Sequence, residues 1–72
     1  MAEFARAIDQ KVGAKVLARR NSLGISIELL AARIGVSAIT MEKYESGALR
    51  IPSLLLVEIA SLLRTTLTSF LT

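Results

Sequence analysis

The side chains available for chemistry in this 72-residue chain are hydroxyls, carboxylates and cations, because histidine and cysteine are both absent. The usual general base, the commonest metal ligand and any thiolate nucleophile are therefore missing. Serine and threonine are plentiful, but no imidazole, thiol or paired carboxylate stands where it could activate them. They read as helix caps and surface hydroxyls. No catalysis, metal site, cofactor or small-molecule substrate is expected. The cations remain. Nine Lys and Arg against six Asp and Glu give a net charge of +3 and a pI near 10.0. A basic balance in a small domain suits a polyanionic partner, although a merely solvated basic surface produces the same modest excess.

Whatever positions these cations must be small. Seventy-two residues suffice for one core and not two, so residues 1–72 are read as a single domain. With 53% hydrophobic and 4% aromatic residues, disorder is excluded and aliphatic packing between helices is indicated. The lack of cysteine fits a reducing cytoplasm. Met1 to Gln10 carries Glu3, Arg6 and Asp9, so it lacks the apolar run of a secretion signal. The greasiest stretch, Ile51 to Leu63, contains Pro52 and Glu58 and stops at Arg64. It falls short of the roughly 20 apolar residues that a membrane span requires.

Apolar residues at Phe4, Ile8, Val12, Val16 and Leu23 recur at helical spacing, with Gly13 the one weak point, and predict a first helix from about Phe4 to Ser22 ended by Gly24. Ser26 is a good N-cap for a short helix from Ile27 to Ile34, closed by Gly35. Ser37 offers another cap, for a helix from Ala38 to Ser46 that Gly47 terminates. Pro52 and Ser53 mark the next start, after which Leu56, Ile59, Ala60 and Leu63 form one stripe. Thr65 or Thr66 caps a last helix holding Leu67, Phe70 and Leu71. No alternating strand pattern or internal repeat occurs.

The segment from Ile27 to Ser46 carries the sharpest signal. Two helices joined by a tight turn at a steep angle need a small residue where their backbones approach, and Ala31 supplies it. Gly35 can take the positive φ of the turn, while Leu30, Val36, Met41 and Tyr44 fill the angle. In these residues, namely Gly24-Ile25-Ser26, Leu30-Ala31, Gly35-Val36-Ser37 and Lys43-Tyr44-Glu45-Ser46-Gly47, the sequence resembles the lambda-repressor and Cro family. The match continues through Arg50, Pro52, Ile59-Ala60 and Leu67 to Leu71. The resemblance implies an all-α, five-helix, lambda-repressor-like DNA-binding domain with its helix-turn-helix at the second and third helices.

It further implies a structural salt bridge between Arg20 and Glu45, against which stands the plainer reading of Glu45 as a solvated helix-end carboxylate. In proteins of this kind the third helix enters the major groove, while the start of the second helix and the loop after the third hold phosphates. The implied base-reading positions are Ser37, Ala38, Ile39, Glu42 and Lys43; the implied phosphate positions are Ile27, Ala48 and Arg50. Arg19 and Arg33 are possible helpers.

The chain departs from the family at this surface. Family members usually carry hydrogen-bonding or basic residues where this one has Ile27, Ala38 and Ile39. Alanine and isoleucine can touch a thymine methyl but cannot read donors and acceptors. Glu42 could accept from cytosine N4, yet it is as apt to repel phosphate. Leu17, Ile27, Leu29, Ile39, Leu49, Leu54, Leu55 and Leu62 all fall where a solvent-facing residue is expected, and clustered apolar exposure marks an interaction surface.

Two functions are therefore expected to compete. One is a sequence-specific DNA-binding transcriptional regulator, a homodimer reading two half-sites of double-stranded DNA, with contacts weakened by the apolar reading positions. The alternative is a protein-interaction or self-assembling module on the same scaffold, using Ile27, Ile39, Leu49, Leu54, Leu55 and Leu62.

Overall fold

A computed structural model describes residues 6–72, all of them in helices or short connections. The helices are α1 (Ala7–Ser22), α2 (Ile27–Ile34), α3 (Ala38–Ser46), α4 (Ser53–Leu62) and α5 (Leu67–Leu71). Phe4, expected in the first helix, lies outside the described residues.

The connections follow from the capping chemistry. Ser26 Oγ accepts from the Leu29 backbone N–H at 3.0 Å and Ser37 Oγ from that of Thr40 at 3.0 Å. Each satisfies one orphan donor of a helix start. Gly35 closes α2 at φ +79°, where the Val36 N–H reaches the Ala31 carbonyl at 3.0 Å and completes a Schellman turn. Of the two threonines before α5, Thr66 is the cap, accepting from the Ser69 N–H at 3.2 Å; the Thr65 hydroxyl lies 2.8 Å from Ser69 Oγ. The end of α4 lacks a glycine. Arg64 takes the left-handed position there at φ +58°, and the Thr65 N–H bonds to the Ala60 carbonyl at 2.9 Å.

One core joins the five helices: Val12 and Val16 of α1, Leu30, Ala31 and Ile34 of α2, Met41 and Tyr44 of α3, Leu56, Ile59 and Ala60 of α4, with Ile51, Leu63 and Phe70. Ile8 and Leu23 are exposed, because Ile8 lies in the first turn of α1 and Leu23 is its C-cap. Leu67 and Leu71, at the two ends of the five-residue α5, are also partly exposed, leaving Phe70 to anchor that helix.

Ile27, Leu55 and Leu62 do not face solvent as expected; they are half-buried against the core. At about 100° per residue, Leu55 and Leu62 flank the Leu56, Ile59, Ala60 and Leu63 stripe, whereas Leu54 lies opposite it. Leu54 is accordingly 85% exposed. Leu17, Leu29, Ile39 and Leu49 are exposed as expected.

Candidate nucleic-acid interface

The hinge between α2 and α3 determines which side chains of α3 project outward. Ala31 is buried where the two helices meet, and Gly35 turns the chain so that Ser37 can start α3 two residues later. Met41 and Tyr44 point into the core from the inner side of α3. Ile39, Glu42 and Lys43 therefore lie on its exposed side, with Ile39 66% exposed.

A buried ion pair fixes the far end of α3. Arg20 Nε donates to Glu45 Oε2 at 2.7 Å and Nη2 to Oε1 at 3.0 Å, while Nη1 donates to the Ile25 carbonyl at 2.8 Å. Both side chains are nearly excluded from solvent. The hydrogen bonds to Glu45 raise the Arg20 pKa above its ordinary value, outweighing the opposing effect of burial. The fork geometry matches carboxylate and guanidinium planes and ties the last turn of α1 to the last turn of α3.

The other expected positions are distributed unevenly. The Ser37 hydroxyl is engaged in its cap and also donates to Thr40 Oγ1 at 3.0 Å. Ala38 and Ile27 are half-buried at the first residues of α3 and α2. Ala48, Leu49 and Arg50 are exposed on the loop between α3 and α4. Arg50 Nε donates to Asp9 Oδ1 at 3.0 Å, a contact spanning 41 residues of sequence. That hydrogen bond holds the Asp9 carboxyl below its ordinary pKa, against a smaller opposing effect of burial.

The Arg19 guanidinium is committed elsewhere. Its Nε donates to the Leu63 carbonyl at 2.8 Å and its Nη2 to that of Arg64 at 3.0 Å, so it serves the C-terminus of α4. Arg33 is exposed in the last turn of α2, beside a notch lined by Ile25, Leu29 and Leu62.

Three residues escaped the sequence reading of this surface. Asp9 gave no local sign of its pairing with Arg50. Gly13 is a point of close approach of α1 to α3, since a Cβ there would meet the Tyr44 carbonyl oxygen and come within 2.6 Å of that of Glu45. Gly47 presses the loop onto α1: at φ +82° a Cβ added there would lie 2.5 Å from Gln10 Cα. The positive φ of Gly47 was legible as a helix terminator, but its close approach was not.

This arrangement has counterparts among known proteins. Residues 16–70 match the family model described as helix-turn-helix. An uncharacterized transcriptional regulator in the ATPase CF(0) region of Rhodospirillum rubrum is 45% identical over 56 residues, covering 78% of this chain and 52% of that protein. The chain thus spans about half the length of the curated relative it matches. Two crystal structures of the clp gene regulator ClgR from Corynebacterium glutamicum superpose with TM-scores of 0.87 and 0.85 at 22% and 23% identity. The superpositions cover 94% and 92% of this chain, and 72% and 86% of the ClgR chains. At that identity the likeness concerns the fold.

Proposed function

The chain belongs to the helix-turn-helix family, and from that premise we propose that it is the DNA-binding domain of a transcriptional regulator, seating the N-terminal half of α3 in the major groove. The observation that carries this reading is the Ala31–Gly35 hinge, which buries one side of α3 and turns Ile39, Glu42 and Lys43 outward. Its 45% identical relative is named a transcriptional regulator.

Lys43 is the principal polar contact and Arg50 a phosphate contact; Ser37 and Glu42 play lesser parts. Ala38 and Ile39 offer thymine methyls an apolar surface in place of hydrogen bonds, which weakens base discrimination at those positions. Ile27, half-buried, contributes at most its backbone N–H at the start of α2. The domain acts as a homodimer on two half-sites, in the cytoplasm, and performs no catalysis. No helix among the described residues is long and apolar enough to cross a membrane.

The protein-interaction alternative is not favoured. It required a broad outward apolar surface, and Ile27, Leu55 and Leu62 turn toward the core instead. Ile39, Leu49 and Leu54 remain exposed.

The test is enrichment of bound duplexes from a randomised library, followed by titration of the recovered sequence across a salt series. Steep weakening with salt is expected, with Lys43→Ala and Arg50→Ala each flattening the slope by about one. Sedimentation of the complex should give two protomers per operator. Failure to retain any duplex at low salt would overturn the reading.

A further inference from the structure

Arg50 sits on an exposed loop, yet its guanidinium is held at one edge. Asp9 Oδ1 takes the Arg50 Nε hydrogen bond, and Asp9 Oδ2 accepts from the Arg6 backbone N–H at 3.3 Å, so both carboxylate oxygens are engaged. The two side chains differ in exposure: 12% for Asp9 and 55% for Arg50. The anchor is the more enclosed partner and sits in the first turn of α1, where the helix dipole favours a carboxylate. The loop is also pressed onto α1 at Gly47, three residues earlier. Among the described residues, Arg50 Nη1 and Nη2 donate to nothing. Those two nitrogens form one of the two edges by which a guanidinium can donate a pair of hydrogen bonds to a phosphate.

We propose that Asp9 is a positioning residue for DNA binding, holding Arg50 by Nε so that its Nη edge is presented to a backbone phosphate. The inference rests on the reading of Arg50 as a phosphate contact and deepens it. A long side chain ordered in advance forfeits less rotamer freedom on binding. The sign of the effect is diagnostic. A carboxylate beside a polyanion should weaken binding, so removing one by itself should strengthen it. A positioning carboxylate does the reverse.

The experiment measures affinity of the whole chain for a mixed-sequence duplex of about 20 base pairs across a salt series. The variants are Asp9→Ala, Arg50→Ala and the double substitution, with helical dichroism melts confirming that each is folded. Asp9→Ala is expected to bind about three- to tenfold more weakly, with a salt slope displaced toward that of Arg50→Ala, and not to weaken binding further once Arg50 is replaced, where loss of the carboxylate can only leave affinity unchanged or raise it slightly. Should Asp9→Ala melt the domain, Asp9→Asn takes its place with the same expected direction, since a neutral acceptor holds the guanidinium less firmly. Unchanged or tighter binding by a folded Asp9 variant, while Arg50→Ala weakens binding, would overturn the proposal. If the unsubstituted chain does not bind duplex at low salt, the DNA-binding reading itself fails.

Discussion

Gly13 of α1 lies directly on the backbone of Glu45 in α3, so close that a Cβ at residue 13 would stand 2.6 Å from the Glu45 carbonyl oxygen. The obstacle is backbone and cannot rotate away. Alanine at an ordinary helical site gains about 1 kcal/mol over glycine. Here that gain is opposed by a forced separation of α1 from α3.

Gly13→Ala should therefore destabilise the domain by about 1–3 kcal/mol, the usual range for overpacking. Chemical denaturation followed by helical dichroism would measure it. Because the separation displaces α3, duplex affinity should fall in the same variant. A more stable Gly13→Ala domain would show that the helices are not held in this contact.

The Arg20–Glu45 pair adjoins the same junction. Removing one partner leaves the other charge buried without compensation, a loss of about 3–5 kcal/mol for such a pair. Arg20→Ala or Glu45→Ala alone is expected to lie in that range, whereas Arg20→Met with Glu45→Leu should recover most of the loss. Lysine in place of Arg20 cannot reproduce the fork or the additional bond to the Ile25 carbonyl. Urea midpoints for the three singles and the double would decide. If the singles cost no more than a surface pair, the junction is not sealed from water.

These two contacts show how differently parts of the molecule could be read from its residues. The bounds of α2 and α3 were legible because Ser26, Gly35, Ser37 and Gly47 each impose a local backbone requirement that their neighbours do not confuse. Gly13 was legible only as a weak helix former, since the carbonyls it accommodates come from residues about thirty positions away. The pairing of Asp9 with Arg50 was hidden for the same reason. Leu55 and Leu62 read as outward from the sequence because periodicity locates the centre of a stripe better than its margins, and in a domain this small the margins also touch the core. Arg64 concealed the end of α4 by occupying a position that usually belongs to glycine.

That position supports a stabilising substitution. A left-handed backbone costs a non-glycine residue about 1–2 kcal/mol, partly offset by the greater chain entropy that glycine surrenders on folding. Arg64 is exposed, and the group it contributes to Arg19 is its backbone carbonyl, which glycine retains. Arg64→Gly should raise stability by about 0.5–1 kcal/mol, seen as a melting temperature several degrees higher. Arg19→Ala should act oppositely, since it strips the Leu63 and Arg64 carbonyls, which close the C-terminal end of α4, of their cationic partner. A lower melting temperature for Arg64→Gly would mean that the arginine side chain makes a contribution larger than its strain.

Acid should loosen the contact between α1 and the loop after α3. The Asp9 carboxyl is depressed in the folded state below its ordinary value of 3.8, chiefly by the Arg50 hydrogen bond. A group depressed on folding binds fewer protons in the folded state across the interval between its two pKa values, so stability rises with pH through that interval. The Asp9 contribution is thus complete above about pH 4–5 and is lost as pH falls below 3.8 toward the depressed value. Comparing urea denaturation of the unsubstituted chain and Asp9→Asn from about pH 6 down to about pH 2 isolates it. The unsubstituted chain should be the more stable at the upper end, and the difference should shrink as the carboxyl is protonated. Arg50→Ala should remove most of the same pH dependence, because its guanidinium is the main cause of the depression. A difference that stays constant across the range would mean that the ion pair does not persist in solution.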